Sequence, residues 1–358
     1  MPKCSLINLR LWSGSRSDLR YTAHMVHQTV PTIRNTFGLS VQSQALYEVD
    51  FSTDLLRTMR DIQRRKLNWC VIGDASNAIL PPFFPVAVLK DTNISIGVDG
   101  NYVRAAAGCS WDELVSFTIS NGRYGLENLS GIPGRVGAAP IQNIGAYGAQ
   151  LADTLVELTV FDGLKQRYET VDISELELGY RTSRFKKSGE SHLVIVDVLL
   201  KLSDQFVPNI AYHGVAQSIG VDPASGSNVT ASEVRSAVLK LRAYKLPNPK
   251  RAGNVGSFFQ NPVVTDAEAR RLSKLGLQIW EGSAGTKISA AQLIEQSGLK
   301  GQSIGGARVS KRHSLVLENA GDATYQDVVQ LMRHVQDTVF QRFGVSLTPE
   351  PHIFPVDL

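Results

Sequence analysis

Residues 131–148 read GIPGRVGAAPIQNIGAYG, with glycine at 131, 134, 137, 145 and 148. Without a Cβ, glycine lets its backbone N–H approach a ligand closely and adopts conformations that other residues avoid. A run of such amides forms a nest for anionic oxygen, and phosphate is the usual occupant. For three glycines alone, a tight buried turn with no ligand explains the spacing equally well. The stretch is not a dinucleotide fingerprint, because GxGxxG is absent and no strand leads directly into a glycine-opened helix. It contains no GKS or GKT and so is not a P-loop.

The 358 residues are enough for two or three domains with their own cores. Apolar content of 43% and charged content of 20% fit an ordinary soluble globular protein. The net charge of +4 is compatible with an anionic small molecule. Basic residues are scattered among acidic ones, which argues against a nucleic-acid footprint. The three cysteines, Cys4, Cys70 and Cys109, show no CxxC and no metal spacing. That points to a reducing compartment, the cytoplasm, and to no metal site. No window is apolar for long enough to span a membrane, and the N-terminal twenty residues lack the apolar core of a secretory signal. Residues 1–30 are read as an extension of unknown function.

Outside the glycine stretch, ALYEVDF (45–51) reads as a strand, followed by a helix that Ser52 caps and that runs to about Lys66. WCVIG (69–73) is a second strand, feeding the polar loop Asp74–Asn77. Further strands are expected at 86–90 and 102–107. Ser110 with Glu113 forms a capping box for a helix that ends at Asn121-Gly122. An alternating hairpin turns at Asp162-Gly163, and HLVIVDVLLKL (192–202) is a central strand. A Ser/Asp/Pro/Gly-rich segment at 203–229 marks a domain boundary. Thr230 with Glu233 caps a helix that ends at Lys245, before Pro247 and Pro249. Thr265 with Glu268, and Ser289 with Gln292, start two more. A helix over about 324–343 is closed by Gly344, and a last strand carries Glu350.

Other strings accompany the glycine stretch in a fixed order: Asn35-Thr-Phe-Gly38, Gly73-Asp-Ala-Ser-Asn77, Gly179-Tyr-Arg-Thr-Ser183, Lys245-Leu-Pro-Asn-Pro249, Gly256-Ser-Phe-Phe-Gln-Asn261 and Pro349-Glu350. The ordered set resembles the UDP-N-acetylenolpyruvoylglucosamine reductase family, flavoenzymes of peptidoglycan precursor synthesis. The resemblance implies an α+β fold. A two-lobed FAD-binding domain of the vanillyl-alcohol-oxidase/PCMH type spans 31–203 (lobes about 31–98 and 99–203). A smaller α+β substrate-binding domain follows at 204–358. It also implies non-covalent FAD, NADPH as hydride donor, UDP-N-acetylglucosamine enolpyruvate as substrate, and a cytoplasmic protein, with a monomer the expected state. The FAD contacts fall on Gly73, Asp74, Ala75, Ser76 and Asn77, and on Gly131, Ile132, Pro133, Gly134, Gly137, Ala138, Gln142, Asn143, Gly145, Ala146, Tyr147 and Gly148. Ala75 stands where the family usually has glycine. Cys109, beside Gly108, is a packed residue on this reading and not a flavin tether.

Reducing an enolpyruvyl ether needs a hydride, which no side chain supplies, and a proton at the carbon bearing the carboxylate. Ser257 matches the family's proton donor, Arg181 the arginine that holds the carboxylate and enolate, and Glu350 the glutamate that assists. Taken singly, these would be a turn serine, a surface salt-bridge arginine and a solvated edge-strand charge. Lys245 and Asn261 are implied near the substrate diphosphate, with Arg242 one helical turn before Lys245. Two cations near a helix end also favour the dipole without any ligand. Tyr212 is the candidate for a tyrosine that closes over substrate. Two alternatives stand beside this reading: another FAD-dependent sugar or hydroxy-acid oxidoreductase, and a non-catalytic nucleotide-sugar-binding protein.

Overall fold

A computed structural model describes residues 30–187, 189–222, 228–282 and 285–355. Residues 1–29 of the expected extension, Cys4 among them, and part of the expected boundary at 203–229 lie outside the described residues.

The first lobe is a three-stranded parallel sheet in the order Gln42–Val49, Phe83–Asp91, Trp69–Val71. Helix α1, Leu55–Arg64, buries Leu55, Thr58, Met59 and Ile62. Its N-cap is Asp54 and not Ser52. The Ser52 N–H and hydroxyl both bond the Asp50 Oδ1, at 2.8 and 2.6 Å, so Ser52 belongs to an Asx turn one step before the helix. The second lobe is a five-stranded antiparallel sheet in which Leu193–Lys201 is the middle strand, as its apolar, β-branched composition implies. The hairpin closes where the buried Asp162 accepts the N–H groups of Leu164 and Lys165, both at 2.9 Å. Ahead of α2, Trp111–Ser120, Ser110 accepts the Glu113 N–H at 3.5 Å; the return bond of the expected capping box is not formed.

Helix α3, Val215–Ile219, and α4, Ala231–Lys245, follow. The Thr230–Glu233 box that starts α4 is complete in both directions. Val234, Ala237 and Val238 pack with Ile210, Val215 and Tyr147, and Arg235 grips Asp112 through two bonds of 2.6 and 2.9 Å. Residues 209–222 and 228–245 therefore sit on the second lobe. The C-terminal helices α5, Asp266–Ser273, α6, Ala290–Gln296, and α7, Tyr325–Phe343, instead share one core with Ile33–Val41 and Ile72–Val88 of the first lobe. Thr265–Glu268 and Ser289 cap as expected, and Gly344 at φ 70 closes α7.

The Asn35–Gly38 string locks that shared core. A Cβ on Gly253 would lie 2.0 Å from the Phe37 carbonyl oxygen, and the Asn254 N–H bonds the Thr36 oxygen at 3.0 Å. The last strand is only His352–Ile353, paired in parallel with Ala78–Ile79, so Glu350 precedes it and is not carried by it. Pro349 bridges Phe259, and the Glu350 N–H bonds the Phe258 carbonyl at 2.9 Å. This pairing returns the chain end to Asn77. Among the described residues no helix is long and apolar enough to cross a membrane, and no cluster of His, Cys, Asp or Glu could hold a metal ion.

Candidate active site

The loop Asp74–Asn77 and the glycine stretch face each other. Ser76 Oγ donates to the Pro133 carbonyl at 3.0 Å, and Arg135 Nε pairs with Asp74 Oδ1 at 2.8 Å. Gly134 sits at φ +118, and a Cβ there would lie 2.6 Å from Ser76 Oγ, so the two loops approach as closely as glycine permits. A Cβ on Gly73 would press on Arg135 Cγ at 3.1 Å. Ala75 adopts φ 48 despite its side chain, with its carbonyl held by the Thr36 hydroxyl at 3.4 Å. No hydrogen bond among the described residues engages the N–H groups of Asp74, Ala75, Ser76, Asn77, Gly134 or Arg135. Two facing sets of unengaged amides suit a diphosphate, which carries anionic oxygens on both phosphates.

Not every residue of the string faces this cradle with a free donor. The Gly131 N–H is taken by Asp112 Oδ1 at 2.6 Å, and the Gly137 N–H by the Ala107 oxygen at 3.0 Å. Burial would raise the Asp112 carboxyl, but Arg235 and the Gly131 amide outweigh it and hold it below the usual carboxylate range. Gly137 is required by packing, since a Cβ would meet that of Ala107 at 2.6 Å. Ala138 ends a single 3-10 turn, Val136–Ala138, and Ile132 packs against the second-lobe core. Asn143 is buried at φ 44, with its amide on the Gly179 carbonyl at 3.2 Å and its oxygen on the Ala152 N–H at 3.0 Å. Gly145–Ala146 pairs with Ala149–Gln150 in a minimal hairpin. Gly148, at φ 83, lies below Tyr212.

Beside the cradle lies a corner built from side chains. Asn77 Nδ2 bonds Gln142 Oε1 at 2.7 Å and the Glu350 carbonyl at 3.3 Å, while the His352 N–H returns to the Asn77 oxygen. The tight turn Gly179–Thr182 places Arg181 at φ 54. Its Nη2 donates to the Gly145 carbonyl at 2.8 Å, and its Nε lies 3.0 Å from Glu350 Oε1. The Nε–H is off the line to that oxygen, so the contact is an ion pair and the N–H remains without a hydrogen bond. Burial pushes the Glu350 carboxyl above the usual range, outweighing the downward pull of Arg181 and Lys186. The Glu350 side chain is 14% exposed, so the solvated edge charge is not what is found.

Tyr180 forms the floor of the corner. The buried Lys287 places its Nζ 3.3 Å from the Tyr180 ring centroid, and the Arg181 guanidinium lies 5.4 Å from it. Burial, then the Arg181 charge, lowers the Lys287 ammonium. Burial raises the Tyr180 hydroxyl and Asn261 opposes it; the Asn261 Oδ1 accepts the Ala290 N–H at the start of α6, at 3.1 Å. Gly256, at φ 77 with its N–H on Asn254 Oδ1, turns the chain into Ser257. The next residue, Phe258, accepts the Glu350 N–H, which brings the half-buried Ser257 onto the segment alongside Glu350.

Ser257 and Asn261, Arg181, and Glu350 thus converge from three segments. The other candidates lie around them. The Arg242 stem passes over Gly131 on the side of Tyr147 and Asp112, with burial lowering its guanidinium, so it faces the glycine stretch. Lys245 lies within electrostatic reach of His313, which burial and then this lysine keep below its ordinary value. No ion pair among the described residues joins Lys245 to the Arg181–Glu350 corner. Tyr212 stands exposed, edge-on to the Tyr147 ring at 5.3 Å, at the rim of the glycine stretch. Sequence reasoning missed Arg135, Lys186 and Lys287. Arg135 was legible as the one charged residue inside 131–148, and Lys186 as a cation five positions after Arg181. Lys287 carried no local signal.

Comparison with known proteins places the chain in a family. The pattern of an FAD binding domain matches residues 44–164, and that of the UDP-N-acetylenolpyruvoylglucosamine reductase C-terminal domain matches 248–354. The UDP-N-acetylenolpyruvoylglucosamine reductase of Neisseria gonorrhoeae is 38% identical over 339 residues, covering 92% of this chain and 97% of its own. That of Polynucleobacter asymbioticus is 37% identical over 329 residues, covering 89% and 94%. The crystal structure of the Thermus caldophilus reductase superposes with a TM-score of 0.64 at 24% identity, covering 91% of this chain and 99% of that one, and shares the fold. With both lobes of a flavin-binding unit, the reductase C-terminal domain and this identity over nearly its whole length, the chain belongs to the UDP-N-acetylenolpyruvoylglucosamine reductase family of FAD-dependent oxidoreductases.

Proposed function

We propose that this chain reduces UDP-N-acetylglucosamine enolpyruvate to UDP-N-acetylmuramate at the expense of NADPH, in the cytoplasm, as a step of peptidoglycan precursor synthesis. The observation that carries the reading is the half-buried Arg181–Glu350 pair set against a cradle of unengaged amides. The amides of that cradle would hold FAD non-covalently, and the bound group would supply the hydride chemistry at the expense of NADPH.

The chain's own residues do the rest. Arg181 presents a fixed guanidinium to the substrate carboxylate, where negative charge grows as the double bond is reduced. Glu350, whose proton burial makes harder to lose, donates a hydrogen bond to the same charge when it carries that proton. Ser257 gives its hydroxyl proton to the carbon that bears the carboxylate. A serine is a weak acid, and the cations Arg181, Lys186 and Lys287 around this corner make its deprotonation less unfavourable. Lys245 and Asn261 hold the substrate's diphosphate, and Tyr212 closes over it from the rim. Arg242, directed to Gly131, supports the cofactor side of the cleft.

The purified protein should be yellow and should release its flavin into the supernatant on acid precipitation. NADPH consumption should depend on the enolpyruvyl substrate. A colourless protein, or flavin reduction by a sugar in place of NADPH, would overturn the reading.

A further inference from the structure

We infer that Lys186 is a positioning residue for the reaction: its ammonium holds Arg181 in the left-handed conformation that pairs it with Glu350, and sets a second positive charge beside that carboxyl. The inference rests on the reading of Arg181 and Glu350 given above.

An arginine at φ 54 is in a region that glycine and asparagine occupy readily and that a long side chain resists. The conformation must be held by its surroundings. The turn contributes two backbone bonds, Gly179 to Thr182 at 3.1 Å and the reverse at 3.4 Å. Asn143 pins the Gly179 carbonyl, and Arg181 Nη2 pins itself to Gly145. The carbonyl of the strained residue is held as well, by Lys186 Nζ, which donates to it at 3.0 Å. Lys186 stands on the one-turn 3-10 helix Arg184–Lys186, which Ser183 anchors to the Ile141 carbonyl at 2.7 Å. The cation therefore has a fixed base five residues beyond the group it holds. A charged donor on a carbonyl is among the stronger hydrogen bonds available to a chain.

The same ammonium lies within electrostatic reach of Glu350. Two cations, Arg181 and Lys186, pull that carboxyl down, and Tyr180 on the Arg181 turn also senses it. Lys186 also pushes on His352, two residues beyond Glu350, whose ring lies 4.2 Å from that of Phe354. Although Lys186 as a whole is exposed, burial of its ammonium lowers it, and the Glu350 charge opposes that. Removing the lysine frees the Arg181 carbonyl and leaves Glu350 with one cation. Misplacing a catalytic group by a fraction of its own length costs about 10²-fold in rate.

The test compares Lys186→Met, Lys186→Arg and Glu350→Gln with the wild type. Two quantities are read: the single-turnover rate at which the enolpyruvyl substrate reoxidises the reduced flavin, and the pH titration of the Glu350 carboxyl ¹³C resonance, assigned by its loss in Glu350→Gln. Lys186→Met is expected to slow reoxidation by about 10²-fold, to leave flavin reduction by NADPH near wild type, and to move the Glu350 midpoint upward. Lys186→Arg, which keeps the donor and the charge, should retain most of the rate and the wild-type midpoint. Should Lys186→Met fold poorly, Lys186→Gln, which keeps a donor without the charge, is scored by the same titration. An unmoved midpoint, or equal losses in the Met and Arg variants, overturns the inference. Wild-type turnover by Glu350→Ala, which has no donor, would instead overturn the catalytic reading on which it rests.

Discussion

The cradle and the corner meet at Asn77, whose Nδ2 donates to the Glu350 carbonyl, and are built in opposite ways. The cradle, Asp74–Asn77 against Gly134–Arg135, offers backbone amides, and its side chains matter chiefly where they would be in the way. The corner, Arg181, Lys186, Glu350, Tyr180 and Lys287, is made of charges partly withdrawn from water and balanced against one another. An added atom should break the cradle; a change of charge should break the corner. Binding of the cofactor and turnover of the substrate are therefore separable by mutation.

The largest effect is expected from Gly134→Val. Its φ of +118 excludes a β-branched residue, and the new side chain would start 2.6 Å from Ser76 Oγ. The variant should purify largely without flavin, read from the ratio of visible to ultraviolet absorbance. Normal flavin content would remove this loop from the cradle. In the corner, Arg181→Met should keep its flavin and lose about 10²- to 10³-fold in substrate-dependent reoxidation, the cost of removing one preorganised donor to a developing anion. Equal damage to flavin content would make Arg181 part of the cradle and erase the distinction.

A smaller effect separates the regions by pH. Because the Glu350 carboxyl is raised on folding, the native state keeps a proton that the unfolded chain releases. Stability from this group is intact below the unfolded value and falls as pH rises from there through the raised folded value. Glu350→Gln should flatten that slope, so its melting temperature should gain on the wild type as pH rises, whatever constant offset the unpaired Arg181 adds. Parallel curves would contradict a raised carboxyl. The smallest effect is expected from Arg135→Met. Arg135 and Asp74 are each 39% exposed, and such pairs contribute up to about 1 kcal/mol. FAD binding should weaken by no more than about fivefold by titration; complete loss would mean that Arg135 contacts the cofactor directly.

The cradle was far more legible in the sequence than the corner. Its signals are local: glycines at fixed spacing, a polar loop after a strand, caps such as Thr230–Glu233 and Thr265–Glu268 that depend on residues three apart. Even there, packing decided which amides remained available. Gly131 and Gly137 belong to the string, yet Asp112 and Ala107 engage their N–H groups, and nothing in the spacing foretells either partner. Ser52 failed as a cap because Asp50, two residues back, competes for it. The corner joins residues separated by much of the chain, Arg181 with Glu350 and Tyr180 with Lys287, and no periodicity reaches that far. Family resemblance assembled Ser257, Arg181 and Glu350. The burial that sets the Glu350 proton, and the two lysines beside it, needed coordinates.

The central claim is that the corner protonates a carbon whose hydride arrives from the cradle side, with Ser257 as the donor. Single-turnover mixing of NADPH-reduced Ser257→Ala protein with the enolpyruvyl substrate tests it most directly. Flavin content and the rate of flavin reduction by NADPH should match the wild type, while reoxidation by substrate should fall about 10²- to 10⁴-fold, the cost of losing a positioned general acid. Reoxidation and product formation at the wild-type rate would contradict the account.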